Sequence, residues 1–284
     1  MTANGRRTPA PTTRPVALTV AGSDSGGGAG IQADLKTMDA TGAFAASVVT
    51  AVTAQNTRGV ESTHVLPVDD IAAQYDAVTG DFDVRAAKTG MLATAEVVER
   101  VARWTREAPF PVVVDPVMVA ASGDRLLSED AEDAYEELVA AATLVTPNTA
   151  EAAVLTGIDP GTPDEQAAAG ERLLEMGAGA ALVTGGHAGG ETVHDVLVTP
   201  QGTTTHAGPR VATDATHGSG CTLSAAVAAR LATGADLPEA VEGAVEFVRR
   251  AVRHAHDIGG GPGAVNHLVD LRDGAGDEQF DAPN

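Results

Sequence analysis

The sequence predicts an α/β fold on a parallel sheet, in one domain, and two observations carry the prediction. Short Val-rich runs alternate with Ala/Leu/Glu stretches of helical period, the pattern of parallel strands joined by crossover helices. No Pro/Gly/Ser-rich linker divides the middle of the 284 residues, a length that one large α/β domain fills. The expected strands are residues 16–21, 46–53, 84–89, 112–115, 144–146 and 180–184, followed by a more irregular β pair near 192–198 and 203–206. The domain is expected over 15–270. Residues 1–14, polar with scattered Pro and Arg, and 271–284, polar and acidic, read as disordered tails without chemistry. Hydrophobic residues make up 43% of the chain and aromatic ones only 3%, so the core has to be assembled from Val, Leu and Ala.

Charge and cysteine usage narrow the function classes. The 39 acidic and 18 basic residues give a formal charge of −21, and only two of the basic residues, Lys36 and Lys88, are lysines. Such a surface repels nucleic acid and anionic membranes. Its self-repulsion is relieved at high ionic strength, which points to a halophilic protein in a salt-rich cytoplasm, an ordinary acidic protein being the alternative. The lone Cys221 cannot form an internal disulfide, no apolar run reaches the roughly 18 residues of a membrane helix, and the start lacks a signal-peptide apolar segment. A soluble cytoplasmic protein is expected.

In an open parallel sheet, ligands bind in crevices at the carboxyl ends of the strands, so the residues just after each strand are the ones that matter. The first such segment, residues 21–30, is glycine-rich and opens a helix over 31–37. It offers exposed amides at a helix start to an anionic or hydrogen-bonding ligand, or it is a simple strand-to-helix turn. Gly28 to Ala33 passes as a relaxed dinucleotide fingerprint, but no acidic residue follows where a ribose needs it, and neither Lys36 nor Lys88 follows a glycine as a P-loop requires.

The second segment, Thr216 to Ser224, feeds Gly218, Ser219, Gly220 and Cys221 into a strong helix former. Orphan amides and the positive end of the helix dipole make an anion hole there. A thiol at such a place is expected to have a lowered pKa and to act as general base toward a substrate hydroxyl, or else to pack as a small apolar residue. A cysteine hydrolase using His217 and Cys221 is a third, weaker reading, because such nucleophiles draw their histidine from a distant segment.

In the third segment, Thr146 to Glu151, Asn148 and Glu151 have capping-box spacing, which explains both without a ligand; the alternative places them, with Asp115, beside a nucleotide and its Mg²⁺. Gln55 with Asn56, and Lys88 with Met91, bring amide, ammonium and thioether groups to the same sheet edge, suited to a polar-substituted aromatic ring or explicable as turn and core residues.

Taken in order along the chain, residues 22–37, 50–57, 88–92, 115–118, Ser122-Gly123, 146–151, 185–187 and 217–224 closely resemble the hydroxymethylpyrimidine/phosphomethylpyrimidine kinase family of thiamine biosynthesis. That family lies in the ribokinase-like superfamily. The resemblance implies a three-layer α/β/α fold with a central mostly parallel sheet, a homodimer, and ATP-dependent phosphorylation of 4-amino-5-hydroxymethyl-2-methylpyrimidine and then of its monophosphate. It implies that Gln55 reads the aminopyrimidine, that Met91 and Val117 line the ring, and that Gly22 and Asp34 lie near the hydroxymethyl side. Asp115 and Glu151 would govern Mg²⁺, Asn148, Thr184, Thr213 and Ser219 would face ATP, and Gly218, Gly220 and Cys221 would supply the anion hole and the base. Two features depart from common ribokinase-like patterns: Cys221 where many carry an aspartate, and Thr184 where many relatives carry a lysine toward the phosphates. Pyridoxal kinase is the nearest rival activity, and a non-catalytic pyrimidine or nucleotide sensor is the rival from another class.

Overall fold

β1 (Val16–Ala21) is buried on both faces and lies between β2 (Phe44–Val49) and β5 (Val84–Thr89), parallel to each. The computed structural model describes residues 13–118, 126–127, 131, 134–186 and 189–269. Beyond β5 the sheet continues in parallel through β6 (Val112–Val114), β7 (Leu144–Val145) and β8 (Ala181–Thr184). It then closes with β9 (Thr192–Thr199) and β10 (Gly202–Pro209), both antiparallel, giving the order β10-β9-β8-β7-β6-β5-β1-β2.

Strand residues alternate between two cores, as a pleated strand requires. Leu18, Val20, Val112, Val114 and Val145 face α2 (Val68–Thr79), α3 (Ala95–Glu107), α4 (Tyr135–Ala141) and α6 (Pro163–Glu175). Ala17, Val113 and Leu144 face α1 (Gly30–Ala40), α7 (Ser219–Ala232) and α8 (Leu237–Arg253). The run Ala225, Ala226, Ala228 and Ala229 is wholly buried, and its small side chains let α7 lie close to the sheet. The short α5 (Thr149–Thr156) sits at one end, packed through Ala152 on Ala169 and Val183. Among the described residues, no helix is long and apolar enough to cross a membrane.

The structure departs from the expected elements in three places. The strand expected over 46–53 is two strands: Thr50 breaks it, its amide donating to Ala21 O (3.0 Å) and its hydroxyl to Met91 O (2.7 Å). β3 (Ala51–Asn56) then leaves the main sheet and pairs antiparallel with β4 (Gly59–Val65), a strand absent from the sequence reading because its Glu61, Ser62, Thr63 and His64 are all exposed and carry no apolar alternation. The pair β9–β10, expected to be irregular, is a hairpin in unbroken register from Thr192–Pro209 to Thr199–Gly202. Of the two expected tails, residues 1–12 and 270–284 lie outside the described residues, while Arg14 makes an ion pair with Asp39 (2.9 Å).

Candidate active site

β2 and β5 flank β1 on opposite sides, so the chain reverses its direction of winding at β1/β5 and opens a crevice at the carboxyl ends of those strands. Gly22, the first residue after β1, donates its amide to Met91 O (3.2 Å), just past the end of β5. A methyl group at Gly22 would stand 3.1 Å from Met91 Sδ, so glycine lets the thioether lie against the backbone. Met91 packs with Ala51 and Ala93, and Val117 packs on the same cluster. Gln55 sits at a register shift in β3 and is tied to the glycine loop: Ser25 Oγ donates to its carbonyl (2.7 Å) and accepts from its amide (2.8 Å). Thr53 Oγ1 lies 2.8 Å from Ser23 O and 3.2 Å from Gln55 Oε1, an arrangement that turns the Gln55 amide nitrogen away from Thr53. An apolar wall with one oriented amide is thereby assembled from four separate segments.

α7 opens beside this wall. Its N-cap is Gly218, left-handed at φ +83°, and no side chain caps it. Ser219 N–H donates to Thr216 O (3.1 Å), while the first-turn amides of Gly220 and Cys221 have no acceptor within the helix. A methyl at Gly220 would meet nothing within 4 Å, so the helix start is open to an incoming anion.

The expected lowering of the Cys221 pKa is not what the structure shows. Cys221 as a residue is half-buried, but burial of its thiol pushes the group up to about 12. Lys88 and the Gly30 amide favour the thiolate, Asp34 and Asp115 oppose it, and desolvation outweighs the helix start.

Asp34, expected on the hydroxymethyl side, takes part in a buried ion pair. It is fully buried beneath the crevice, its two carboxylate oxygens each 3.1 Å from Lys88 Nζ, with Thr19 Oγ1 donating to Oδ2 (2.6 Å). A carboxylate sealed this way is structural for the site, because removing it from the cation would leave a bare charge in the core. Burial alone would lower the Lys88 pKa, but Asp34, with Cys221 and Asp115 beyond it, holds the ammonium above the ordinary lysine range.

Asp115, the first residue after β6, accepts from Ser224 Oγ on α7 (2.9 Å). Glu151 and Asn148 form a full capping box on α5: Asn148 Oδ1 accepts from Glu151 N (3.0 Å), and Glu151 Oε2 accepts from Asn148 N (2.9 Å). Burial and the neighbouring Asp115 push the Glu151 carboxyl up to about 8. Two neighbouring buried carboxyl groups are oxygen donors of the kind a hard divalent cation takes. Thr184 is bridged to Asn148 and donates its amide to Pro147 O (2.9 Å), while the Thr213 hydroxyl accepts from Ala215 N (3.1 Å) in a tight turn. Ser122, Gly123 and His187 lie outside the described residues.

Comparison with known proteins decides the family. The phosphomethylpyrimidine kinase family model matches residues 24–266. The chain belongs to the phosphomethylpyrimidine kinase family. It is 48% identical over 260 residues to the hydroxymethylpyrimidine/phosphomethylpyrimidine kinase of Streptomyces coelicolor, covering 90% of this chain and 96% of that one. A Geobacter sulfurreducens thiamine biosynthesis bifunctional protein, ThiED, is 45% identical over 94% of this chain and 55% of its own length. Among solved structures, an ADP complex of Bacillus subtilis pyridoxal kinase superposes with a TM-score of 0.85 at 35% identity, covering 92% of this chain and 99% of that one. The fold is the ribokinase-like three-layer arrangement, with a mostly parallel central sheet.

Within this phosphomethylpyrimidine kinase scaffold, the sequence reading missed Asp24, Thr19 and Ser224, and it gave His217 a role only in the weaker cysteine-hydrolase reading. The His217 ring meets Asp24 (Nε2 to Oδ2, 3.1 Å), a partner that the cysteine-hydrolase reading did not foresee. Asp24 had a legible signal, an Asp two residues before a glycine in a loop, where the side chain folds back on the backbone. Ser224 had none, because its partner Asp115 is 109 residues away.

Two measurements test the electrostatics. Lys88→Ala strands Asp34 in the core and is expected to cost about 3–5 kcal/mol in urea unfolding, a loss under about 1 kcal/mol refuting the sealed pair. The folded-state pKa of Glu151 is raised above its unfolded value of 4.5, so its contribution to stability is fully present below about pH 4.5 and is lost as pH rises through about 8. Glu151→Gln without divalent ions is therefore expected to raise the thermal midpoint at pH 8 and leave it unchanged near pH 4.5.

Proposed function

We propose that this chain transfers the γ-phosphoryl group of ATP to the hydroxymethyl oxygen of 4-amino-5-hydroxymethyl-2-methylpyrimidine, and then to the resulting monophosphate, in thiamine biosynthesis. The observation that carries the reading is the meeting at one sheet edge of an apolar wall, Met91 with Val117, and an uncapped open helix start at Gly218 to Cys221. The wall with the Gln55 amide takes an aminopyrimidine ring. The Gly220 and Cys221 amides take the phosphoryl oxygens. Asn148, Thr184, Thr213 and Ser219 line the nucleotide side, and Asp115 and Glu151 would hold Mg²⁺, which neutralises phosphate charge when bound. The kinase names of the relatives and the ADP complex of a structural neighbour support phosphoryl transfer from ATP.

Cys221 is the proton acceptor in the first step. With its thiol held near 12, the base works through a thiolate fraction that rises about tenfold per pH unit around neutrality. The second acceptor needs no such help, because a phosphate monoester with a second pKa of about 6 is already largely dianionic.

Product masses after incubation with the pyrimidine alcohol, Mg²⁺ and ATP should show mono- and diphosphate. Turnover of pyridoxal with none of the pyrimidine monophosphate would replace this reading with pyridoxal kinase, and tight binding without transfer would replace it with a sensor. The first phosphorylation should accelerate about tenfold per unit from pH 7 to 9 and the second stay flat, with Cys221→Ala abolishing that slope; equal loss of both steps would remove the base role.

A cytoplasmic homodimer adapted to salt belongs to the same reading. The charge of −21 and the two lysines support the last element. The thermal midpoint and activity should both rise as KCl is raised from 0.1 M to about 2 M, because screening relieves self-repulsion; a flat or falling response would leave an ordinary acidic enzyme.

A further inference from the structure

Asp24 takes no part in the reading above, yet it is buried at the sheet edge with four hydrogen bonds directed at it. Oδ1 accepts from Gly26 N (2.8 Å), and Oδ2 from Gly28 N (3.0 Å), Ala29 N (2.8 Å) and His217 Nε2 (3.1 Å). Burial would push this carboxyl up, but His217 and the loop amides hold it below the usual range, so Asp24 is an anion around which the glycine loop is wound. The Gly28 peptide is held from its other side too: His267 Nε2 lies 3.1 Å from Gly28 O, and since a carbonyl only accepts, that nitrogen carries the proton. Lys36 Nζ donates to Gly27 O (2.8 Å).

His217 immediately precedes the N-cap of α7. Its backbone is pinned to the C-terminal segment, its amide donating to Gly263 O (3.2 Å) and its carbonyl accepting from Val265 N (3.2 Å). The loop and the helix start also touch without slack. A methyl at Gly28 would stand 2.5 Å from His217 Cδ2, and one at Gly218 would run into the Gly28 carbonyl. The side-chain bond between Asp24 and His217 therefore ties the loop that begins at the ring wall, at Gly22, to the helix that begins at the phosphate site.

We propose that Asp24 and His217 are positioning residues for phosphoryl transfer, their hydrogen bond setting the register between the ring-binding loop and the phosphate-binding start of α7. The inference rests on the assignment of those two sites under Proposed function. Transfer needs the acceptor oxygen and the phosphorus at near-attack distance, about 3–3.5 Å, and a misplacement of about 1 Å costs on the order of 100-fold in rate. Each half-site keeps its own contacts when the bond is broken: Gln55 and Met91 are held by Ser25, Thr53 and Gly22, and the α7 amides by the helix itself. Losing the bond should therefore spoil the alignment of two bound ligands more than the binding of either.

The test compares kcat and KM, for the pyrimidine alcohol and for ATP separately, in the full-length wild type, His217→Ala, His217→Gln, Asp24→Asn and the Asp24→Asn/His217→Ala double variant, with thermal midpoints alongside. The glutamine places an N–H donor where Nε2 stands. Expected are a fall of about 100-fold in kcat for His217→Ala and Asp24→Asn with both KM values within about threefold, at least tenfold recovery in His217→Gln, and a double variant no worse than either single one. Unchanged kcat in His217→Ala, additive losses in the double variant, a KM rise that accounts for the whole loss, or failure of His217→Gln to recover would each overturn the proposal. If His217→Ala does not fold, Gly28→Ala takes its place: its methyl displaces the His217 ring, the same fall in kcat is expected, and a wild-type rate overturns the inference. Absence of turnover in the wild type itself would count against the assigned reaction and not against this pair.

Discussion

The chemistry of this sheet edge depends on one buried ion pair. Lys88, projecting from the central strand β5, and Asp34, from α1, meet under the crevice with no exposure to solvent. Thr19 on β1 completes the carboxylate's shell, so a strand, its crossover helix and the strand on the far side of the winding reversal are joined at one point. A single charge in that place would be intolerable, and two are tolerable only because they are held in contact. The pair fixes how α1 enters the sheet, and with it the glycine loop in front of α1. It also supplies a cation at the root of a site that otherwise gathers acids.

That last consequence shapes the electrostatics. Asp34, Asp115, Glu151 and the Cys221 thiol all feel burial that favours their neutral forms, and Lys88 is the buried cation among them. A polyanionic nucleotide is an unlikely guest for such a floor unless the positive potential comes from elsewhere. Here it comes from the backbone: the open first turn of α7 after a left-handed glycine presents amides and the helix dipole without a side-chain charge. Thr184, standing where many relatives are expected to carry a lysine, is consistent with that division. The chain's other lysine, Lys36, is exposed and donates to Gly27 O, so it serves the glycine loop.

How much of this was legible in the sequence depended on whether the deciding interaction was local. Strand positions and the α5 cap were legible because periodicity and capping spacing are properties of a few adjacent residues, and Asn148 and Glu151 behave as their spacing dictates. The break at Thr50 was not, because what bends the chain there is hydrogen bonding to Ala21 and Met91, on two other segments. The same holds for chemistry. The open helix start was readable from Gly218, Ser219 and Gly220, but the Cys221 pKa was not, since desolvation by the surrounding fold and the carboxylates of Asp34 and Asp115 reverse what the helix start would do alone. Asp34 was assigned to the substrate side by resemblance, and its pairing with Lys88 in the core was not legible, because the two residues are 54 apart in the chain.

Glu151 shows why a complete structural explanation of a residue does not remove a chemical one. Its bond to the Asn148 amide is all that a capping box needs, and helix α5 would be satisfied by it. The same bond, with the Met118 amide also donating to the carboxylate, holds the group at a fixed angle beside Asp115, where burial and repulsion make ionisation costly. A cap on an exposed helix would carry no such cost; Thr162 and Glu165 form the same box on α6 in the open and need no partner. What distinguishes the two boxes is the environment: one is a local solution to orphan amides, and the other uses that solution to hold a carboxyl group where burial and Asp115 oppose its ionisation.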